Sequence, residues 1–194
     1  MRITLIFLPL LLLTTACDAP RLADFMPISF ANRTPIQLDI YEMNVQNEYQ
    51  QPKRPPYVEH LFPIPLEQAI ETWAQDRIKT AGSDRSLLLV VKNASVTEKN
   101  LPTTTGIMGW FTDDQEKEYT GNVLVELRIY GNRALSLAST EVHATRSITL
   151  PQSASLAERD ETFYKLTKAL MRNLNAELEK NIHQYFSDYI QYTH

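Results

Sequence analysis

The four histidines are the first residues of this chain that could do chemistry, as general bases or as metal ligands. They stand far apart in the sequence and form no H-E-x-x-H motif, at His60, His143, His183 and His194. Only His60 has an adjacent carboxylate, that of Glu59. The spacing therefore predicts no metal site and no catalytic base, although a triad assembled from distant residues stays open.

Other chemistries have equally little support in the pattern. The five glycines form neither G-x-G-x-x-G nor a P-loop, and no G-x-S-x-G occurs. The acidic stretch lacks the glycine and the alternation of an EF-hand, and comprises Asp113, Asp114, Glu116 and Glu118. A formal net charge of −4 over 194 residues gives no general attraction to nucleic acid. We therefore expect no cofactor, no metal, no nucleic-acid partner and no enzymatic activity.

The single cysteine is the residue that its position makes most informative. Cys17 follows Arg2, an apolar run over residues 5–13 and the small residues of Thr14-Thr15-Ala16. The apolar run is much shorter than the roughly 20 residues of a membrane-spanning helix. A positive charge, a short apolar core and small residues are typical of a secretory signal.

This pattern resembles the bacterial lipoprotein signal, although Thr14 stands where that family usually has leucine. The resemblance implies that Cys17 is acylated, for example with palmitate, becomes the first mature residue, and anchors the protein to a membrane facing the periplasm. Asp18 resembles the inner-membrane retention signal of enteric bacteria and slightly favours that membrane over the outer one. The alternative is an ordinary signal peptide cleaved near Ala16, which leaves a free thiol.

We divide the chain into a signal peptide at 1–16, a membrane tether at 17–34 and one domain at 35–194. In that domain, apolar residues alternate over 36–45, and the alternation shifts by one residue once, near Ile40. This pattern predicts one long strand with a bulge. Five prolines between 52 and 65 predict a rigid crossover that packs on its own domain, with a partner-binding segment as the alternative. A helical stripe over 66–81 includes Trp73 as a core residue, and Gly82 ends that helix.

Three further strands and a second helix complete the predicted domain. The strands cover 86–97, 118–130 and 133–150, and Gly131-Asn132 indicates a two-residue hairpin. That turn pairs Val125 with Ala138 and Tyr119 with Ala144. A capping box at Ser155 and Glu158 opens a helix that runs to about residue 189. The order β-α-β-β-β-α predicts an α+β fold, a four-stranded mostly antiparallel sheet with two helices on one face.

The connection over 103–112 is unusually apolar for a loop between two strands. Its large side chains are Ile107, Met108, Trp110 and Phe111. They either fold back over the end of the sheet or remain exposed as a contact for a protein partner or a lipid. Asp113 and Asp114 argue against direct insertion into an anionic membrane.

The architecture behind a lipoprotein signal resembles the lipopolysaccharide-assembly lipoproteins and the auxiliary lipoproteins of ABC-type envelope transport systems. The resemblance implies a lipid-anchored, non-catalytic binding or assembly module with an envelope protein or a lipid as partner, and a role in lipid transport is one version of it. An envelope hydrolase and a structural lipoprotein without a specific ligand are the alternatives.

Overall fold

A computed structural model describes residues 25–102, 116–132 and 135–192. The strands and helices are β1 (Ile36–Leu38), β2 (Glu42–Asn47), α1 (Leu66–Arg77), β3 (Ile78–Thr80), β4 (Ser86–Asn100), β5 (Glu116–Tyr130), β6 (Ser136–Pro151) and α2 (Leu156–Tyr185). Short 3-10 turns lie at Glu59–Leu61 and Ser187–Tyr189. Cys17 and the whole 103–112 loop fall outside the described residues.

The main sheet has the order β2-β4-β5-β6, with β2 parallel to β4 and the other pairs antiparallel. β1 and β3 form a separate two-stranded parallel sheet. Both helices pack on the same face of the main sheet, and their apolar side chains join those of the strands in one core. The predicted α+β class is confirmed, and the order β-α-β-β-β-α holds for the main sheet and the two helices, with β1 and β3 as additional short strands.

Alternation along the strands explains which face of the sheet is covered. Val123, Val125 and Leu127 of β5 are fully buried on the helix-covered face, while the residues between them are only partly buried. Each such side chain stabilises the fold by about 1.5–3 kcal/mol relative to exposure. Trp73 of α1 is also fully buried, which confirms it as a core residue.

The start of α2 follows the predicted capping box. The Glu158 amide donates to Ser155 Oγ at 3.3 Å, and the Ser155 amide donates to the Glu158 carboxylate at 2.8 Å. These bonds satisfy two donors at the helix start that have no partner within the helix. The C-terminal end of α2 lies earlier than predicted. The helix stops at Tyr185, and a 3-10 turn replaces its last predicted residues.

The single long strand predicted over 36–45 is wrong. The chain forms β1 and then β2, which belong to different sheets. The shift in the alternation marks the place where the backbone passes from one sheet to the other, at Asp39–Tyr41.

The predicted helix over 66–81 is too long, since α1 ends at Arg77 and β3 pairs with β1 through Ile78 and Ile36. Gly82 follows that strand and does not cap the helix.

The predicted hairpin register is wrong by four residues. Val125 pairs with Val142 and Tyr119 with Ile148. The connection of residues 131–135 is three residues longer than the predicted turn, and a bulge between Ile129 and Tyr130 adds the fourth residue. The amide of Gly131 donates to the carbonyl of Leu135 at 2.9 Å within this connection. A shift by an even number of residues leaves the same side chains facing the core, so alternation alone could not reveal it.

The proline-rich segment packs on its own domain, as predicted. Val58 N donates to Val96 O at 2.9 Å and Glu98 N to Pro56 O at 2.8 Å, so the segment covers the edge of β4 beyond the end of β2. The buried Glu59 carboxylate accepts from the Tyr49 hydroxyl at 2.8 Å and from the Val96 amide at 3.2 Å. These bonds fix the segment against β4.

The last ten residues of the predicted tether, 25–34, are attached to the domain. Ile28 and Phe30 are buried in the core, and the Phe30 amide donates to the Asp76 carboxylate at 2.6 Å. Burial of two large apolar side chains and a hydrogen bond to α1 attach this stretch to the domain. A free tether therefore extends no further than residue 24.

Candidate functional site

One end of the domain gathers the features that bear on function, and we call it the Ser155 end. There β4 ends, β5 begins, β6 ends and α2 begins, since Asn100 pairs with Lys117 and Glu116 with Pro151. Leu101 N also donates to Glu116 O at 2.9 Å. The predicted contact residues Ile107, Met108, Trp110 and Phe111 lie outside the described residues, but both described ends of their segment are at the Ser155 end.

The N-terminal segment joins the domain nearer to the same end. The Phe25 ring stacks on Tyr164 of α2 with centroids 5.0 Å apart. Tyr164 lies in the first third of a helix that is about 45 Å long at 1.5 Å per residue. Eight steps of chain separate Phe25 from Cys17, which span at most roughly 29 Å. The Cα of Cys17 is therefore held within that distance of the Cα of Phe25.

A small cavity of about 130 Å³, the Arg159 pocket, opens at the Ser155 end. Its polar lining comes from Glu98, Lys117, Tyr119, Gln152 and Arg159, with Leu150 and Phe163 among its apolar walls. Strand pairing positions the first three, because Glu98 of β4 lies opposite Tyr119 of β5. The first turn of α2 positions Arg159.

Two oriented hydrogen bonds occupy the Glu98 carboxylate in this pocket. Lys117 Nζ donates to Oε1 at 2.8 Å and the Tyr119 hydroxyl to Oε2 at 2.9 Å. Burial pushes the Glu98 pKa up, but these bonds and the charges of Lys117 and Arg159 outweigh it, and the pKa lies below its usual value. Burial and the bond to Glu98 raise the Tyr119 pKa to about 12. Glu98 is thus ionised and Tyr119 neutral at neutral pH.

Arg159 is not paired in the same way. Its Nε is buried and has no hydrogen-bond partner within the described part of the chain. The nearest ion-pair contact is with Asp160, at 3.9 Å from Nε to Oδ1, which is too long for a hydrogen bond. The guanidinium carbon lies 5.8 Å from the centroid of the Phe163 ring. The pocket therefore contains a guanidinium whose Nε–H has no acceptor in the described part of the chain, on a side chain that is about one-third exposed.

A larger cleft of about 380 Å³ lies near the other end of α2, and we call it the His183 cleft. Gln37, Glu179, His183 and Tyr192 are among the residues that line it. Behind Glu179 the buried Arg77 forms an ion pair with it at 3.0 Å. The lining of this cleft thus includes a histidine, a carboxylate and a hydroxyl-bearing side chain, which are residue types found in hydrolase active sites.

The His183 cleft nevertheless lacks the connections of a catalytic triad. Within the described ranges no hydrogen bond joins His183 to Glu179 or to Tyr192. His143 is exposed on β6 and contacts the Thr145 hydroxyl at 3.2 Å, and His60 is exposed in the 3-10 turn. Across residues 25–102, 116–132 and 135–192, no three or more histidine, cysteine or acidic side chains are grouped to hold a metal.

Sequence reasoning missed the Arg159 pocket because its residues are distant along the chain. A correct pairing of β4 with β5 places Glu98 beside Tyr119, so the strand register was the signal that could have identified these two residues.

In the described part of the chain, the helices are too short or too polar to cross a membrane.

Comparisons with known proteins give loose structural likenesses. No family model matches the chain, and no curated protein matches it. A minor lipoprotein from Acinetobacter baumannii aligns with 80% of this chain and 99% of its own, at 9% identity and a TM-score of 0.39. The protein XCC0632 from Xanthomonas campestris aligns with 77% of this chain and 99% of its own, at 10% identity and a TM-score of 0.27. Because both TM-scores are low, these likenesses establish neither a family nor a function for this chain.

Proposed function

We propose that this chain is a lipid-anchored protein of the bacterial envelope and acts as a non-catalytic binding or assembly module. The anchor is Cys17, at the end of the signal-like segment. Several acyl chains on one cysteine give stable membrane binding, because each buried CH₂ contributes about 0.8 kcal/mol. The partner is another envelope protein or a lipid, and lipid transport is the specific role that we favour.

One observation carries this proposal. The segment that leads to Cys17 and the apolar 103–112 loop both join the domain towards its Ser155 end. The anchor therefore brings the base of that loop towards the membrane, where Trp110 and Phe111 can contact a lipid or a membrane-bound partner. The polar face of α2 and the open face of the sheet remain available to the periplasm.

The anchor is tested by labelling cells with a palmitate analogue and separating membranes from soluble protein. The wild-type chain is expected to carry the label and to sediment with membranes, and Cys17→Ser is expected to lose both. Membrane association of the wild-type chain without label would contradict the anchor.

The binding role is tested by affinity capture from envelopes dissolved in detergent. Trp110→Ser/Phe111→Ser is expected to reduce recovery of the co-purifying protein or lipid while the fold is retained. The matched control is Leu135→Ser/Leu137→Ser, which changes two exposed apolar residues near the opposite end of the sheet. Recovery of the wild-type protein alone would contradict a binding module, and equal recovery by both double variants would exclude the loop as the contact.

The His183 cleft favours one second candidate, an envelope hydrolase with His183 as base and Glu179 as its carboxylate. The two side chains stand one helical turn apart on α2, so a small rearrangement could bring them together. Hydrolysis of wall or lipid substrates by the wild-type protein and its loss in His183→Ala would support this candidate over the binding module.

A further inference from the structure

We propose that the Arg159 pocket binds a phosphate group, with the Arg159 guanidinium as its main ligand. Binding of the group depends only on the pocket. The source of the group rests on the proposed function, because a membrane anchor makes a phospholipid headgroup the nearest source of phosphate. Inorganic phosphate is the other source with the same chemistry, and the experiment below distinguishes them.

The distribution of charge in the pocket selects an anion. Lys117 and Glu98 offset one another through their 2.8 Å ion pair, and Tyr119 satisfies the second carboxylate oxygen. Arg159 adds a positive charge, and the Asp160 carboxylate, at 3.9 Å from its Nε, makes no hydrogen bond to it. The Nε of Arg159 is buried without an acceptor among the described residues, although the side chain as a whole is 34% exposed, so an incoming anion supplies the hydrogen bond that this atom lacks.

The geometry of an arginine side chain favours a phosphate oxygen pair. A guanidinium presents its N–H groups as a fixed fork, which matches two oxygens of a phosphate. The guanidinium carbon lies 5.8 Å from the centroid of the Phe163 ring, and this contact limits the directions in which the guanidinium can turn. Leu150 and Phe163 keep part of the pocket apolar, which strengthens an ionic hydrogen bond relative to bulk water.

The size of the cavity also fits one small group and not a whole lipid. Its volume is about 130 Å³, several times the roughly 10–15 Å³ that a cavity needs in order to hold one water. A tetrahedral phosphate fits in the space of a few waters, and acyl chains do not. A lipid would therefore place only its headgroup here and leave its chains in the membrane.

The position of the pocket allows that arrangement. Phe163 belongs to the pocket, and the next residue of α2, Tyr164, stacks on Phe25, where the N-terminal segment joins the domain. The covalent reach from Cys17 to Phe25 is at most roughly 29 Å. A membrane that holds the acyl chains of Cys17 is thus near enough for its headgroups to meet Arg159.

The test measures phosphate binding by the full chain, purified with its anchor in a neutral, phosphate-free detergent. One arm titrates inorganic phosphate and the other titrates dihexanoyl phosphatidic acid, each followed by 31P line broadening and by the thermal midpoint. Arg159→Gln removes the charge and the fork, and Arg159→Lys keeps the charge without the fork. Arg172→Gln is the matched control, because Arg172 is an exposed arginine on the same helix.

The wild-type chain is expected to bind at least one probe saturably. Arg159→Gln is expected to weaken that binding by about tenfold or more, as loss of a charged hydrogen bond does. Arg159→Lys should lie between, and Arg172→Gln should match the wild type. Equal binding of both probes assigns the site to the phosphate group alone, and binding of phosphatidic acid only assigns it to a headgroup.

Two results would contradict the proposal that this pocket binds phosphate. The first is no saturable binding of either probe by the wild-type chain, and the second is unchanged binding by a folded Arg159→Gln variant. Either result leaves acylation of Cys17 and capture through the 103–112 loop untouched, so failure of this site is distinguishable from failure of the proposed function.

Discussion

The contact between the two helices depends on one buried amide, that of Asn175 on α2. Its Oδ1 accepts from Trp73 Nε1 at 2.9 Å and from Arg77 Nε at 3.1 Å. All three side chains are buried, with Asn175 only 4% exposed. Arg77 also donates to the carbonyl of Thr34, so this cluster connects both helices to the segment before β1.

Replacing Asn175 with alanine removes the acceptor and leaves both donors in place. A buried donor without a partner costs about 1–3 kcal/mol, and more when it is charged, as Arg77 is. Two such donors predict a loss of about 2–6 kcal/mol from a stability that is typically about 5–15 kcal/mol. Asn175→Ala should therefore unfold at a urea concentration lower by about 1–2 M.

The assay is equilibrium urea unfolding followed by far-UV circular dichroism and by tryptophan fluorescence. The matched control is Asn173→Ala, because Asn173 is exposed on the same helix two residues earlier. That variant is expected to change stability by no more than about 0.5 kcal/mol. If the two variants unfold together, the amide does not support the helix contact and the reasoning is refuted.

Three further predictions concern other parts of the fold. Gly82→Ala should destabilise by about 1–3 kcal/mol in urea unfolding, since its Cβ would stand 2.6 Å from the Asp39 carbonyl carbon; unchanged stability would contradict this close approach. Glu59→Ala should cost about 2–4 kcal/mol in the same assay because it leaves the Tyr49 hydroxyl and the Val96 amide unpaired, and Glu59→Gln should cost less. The lowered pKa of Glu98 predicts stability that is present at neutral pH and is lost as pH falls below its ordinary value near 4.5. Unfolding midpoints between pH 3 and 7 should fall less steeply for Glu98→Gln, and parallel curves would contradict this.

The fold class could be predicted because periodicity reports which residues face a core. The stripe containing Trp73 and the alternation of Val123, Val125 and Leu127 gave the right elements on the right faces. The hairpin register could not be predicted, because a shift of four residues preserves every inward-facing side chain. A phase slip near Ile40 likewise has the same pattern whether a strand bulges or leaves one sheet for another.

A local pattern is enough to propose a site residue, and the residues proposed in this way, Cys17 and Trp110 among them, lie outside the described residues and stay predictions. The signal-like segment singles out Cys17, and the apolar loop singles out Trp110, because both patterns are continuous in the sequence. The Arg159 pocket depends on the pairing of β4 with β5 and on the packing of α2 against them. Such a site is defined by tertiary contacts between Glu98, Lys117 and Arg159, and no spacing along the chain encodes it.

The state of Cys17 in the native membrane tests the central claim most directly. The protein is extracted from membranes, digested with trypsin and analysed for the N-terminal peptide of residues 17–21, which ends at Arg21. We expect this peptide to begin at Cys17 and to carry acyl groups that raise its mass and its retention on a hydrophobic column. An unmodified peptide, or a mature chain that begins at another residue, would contradict a lipid-anchored envelope protein.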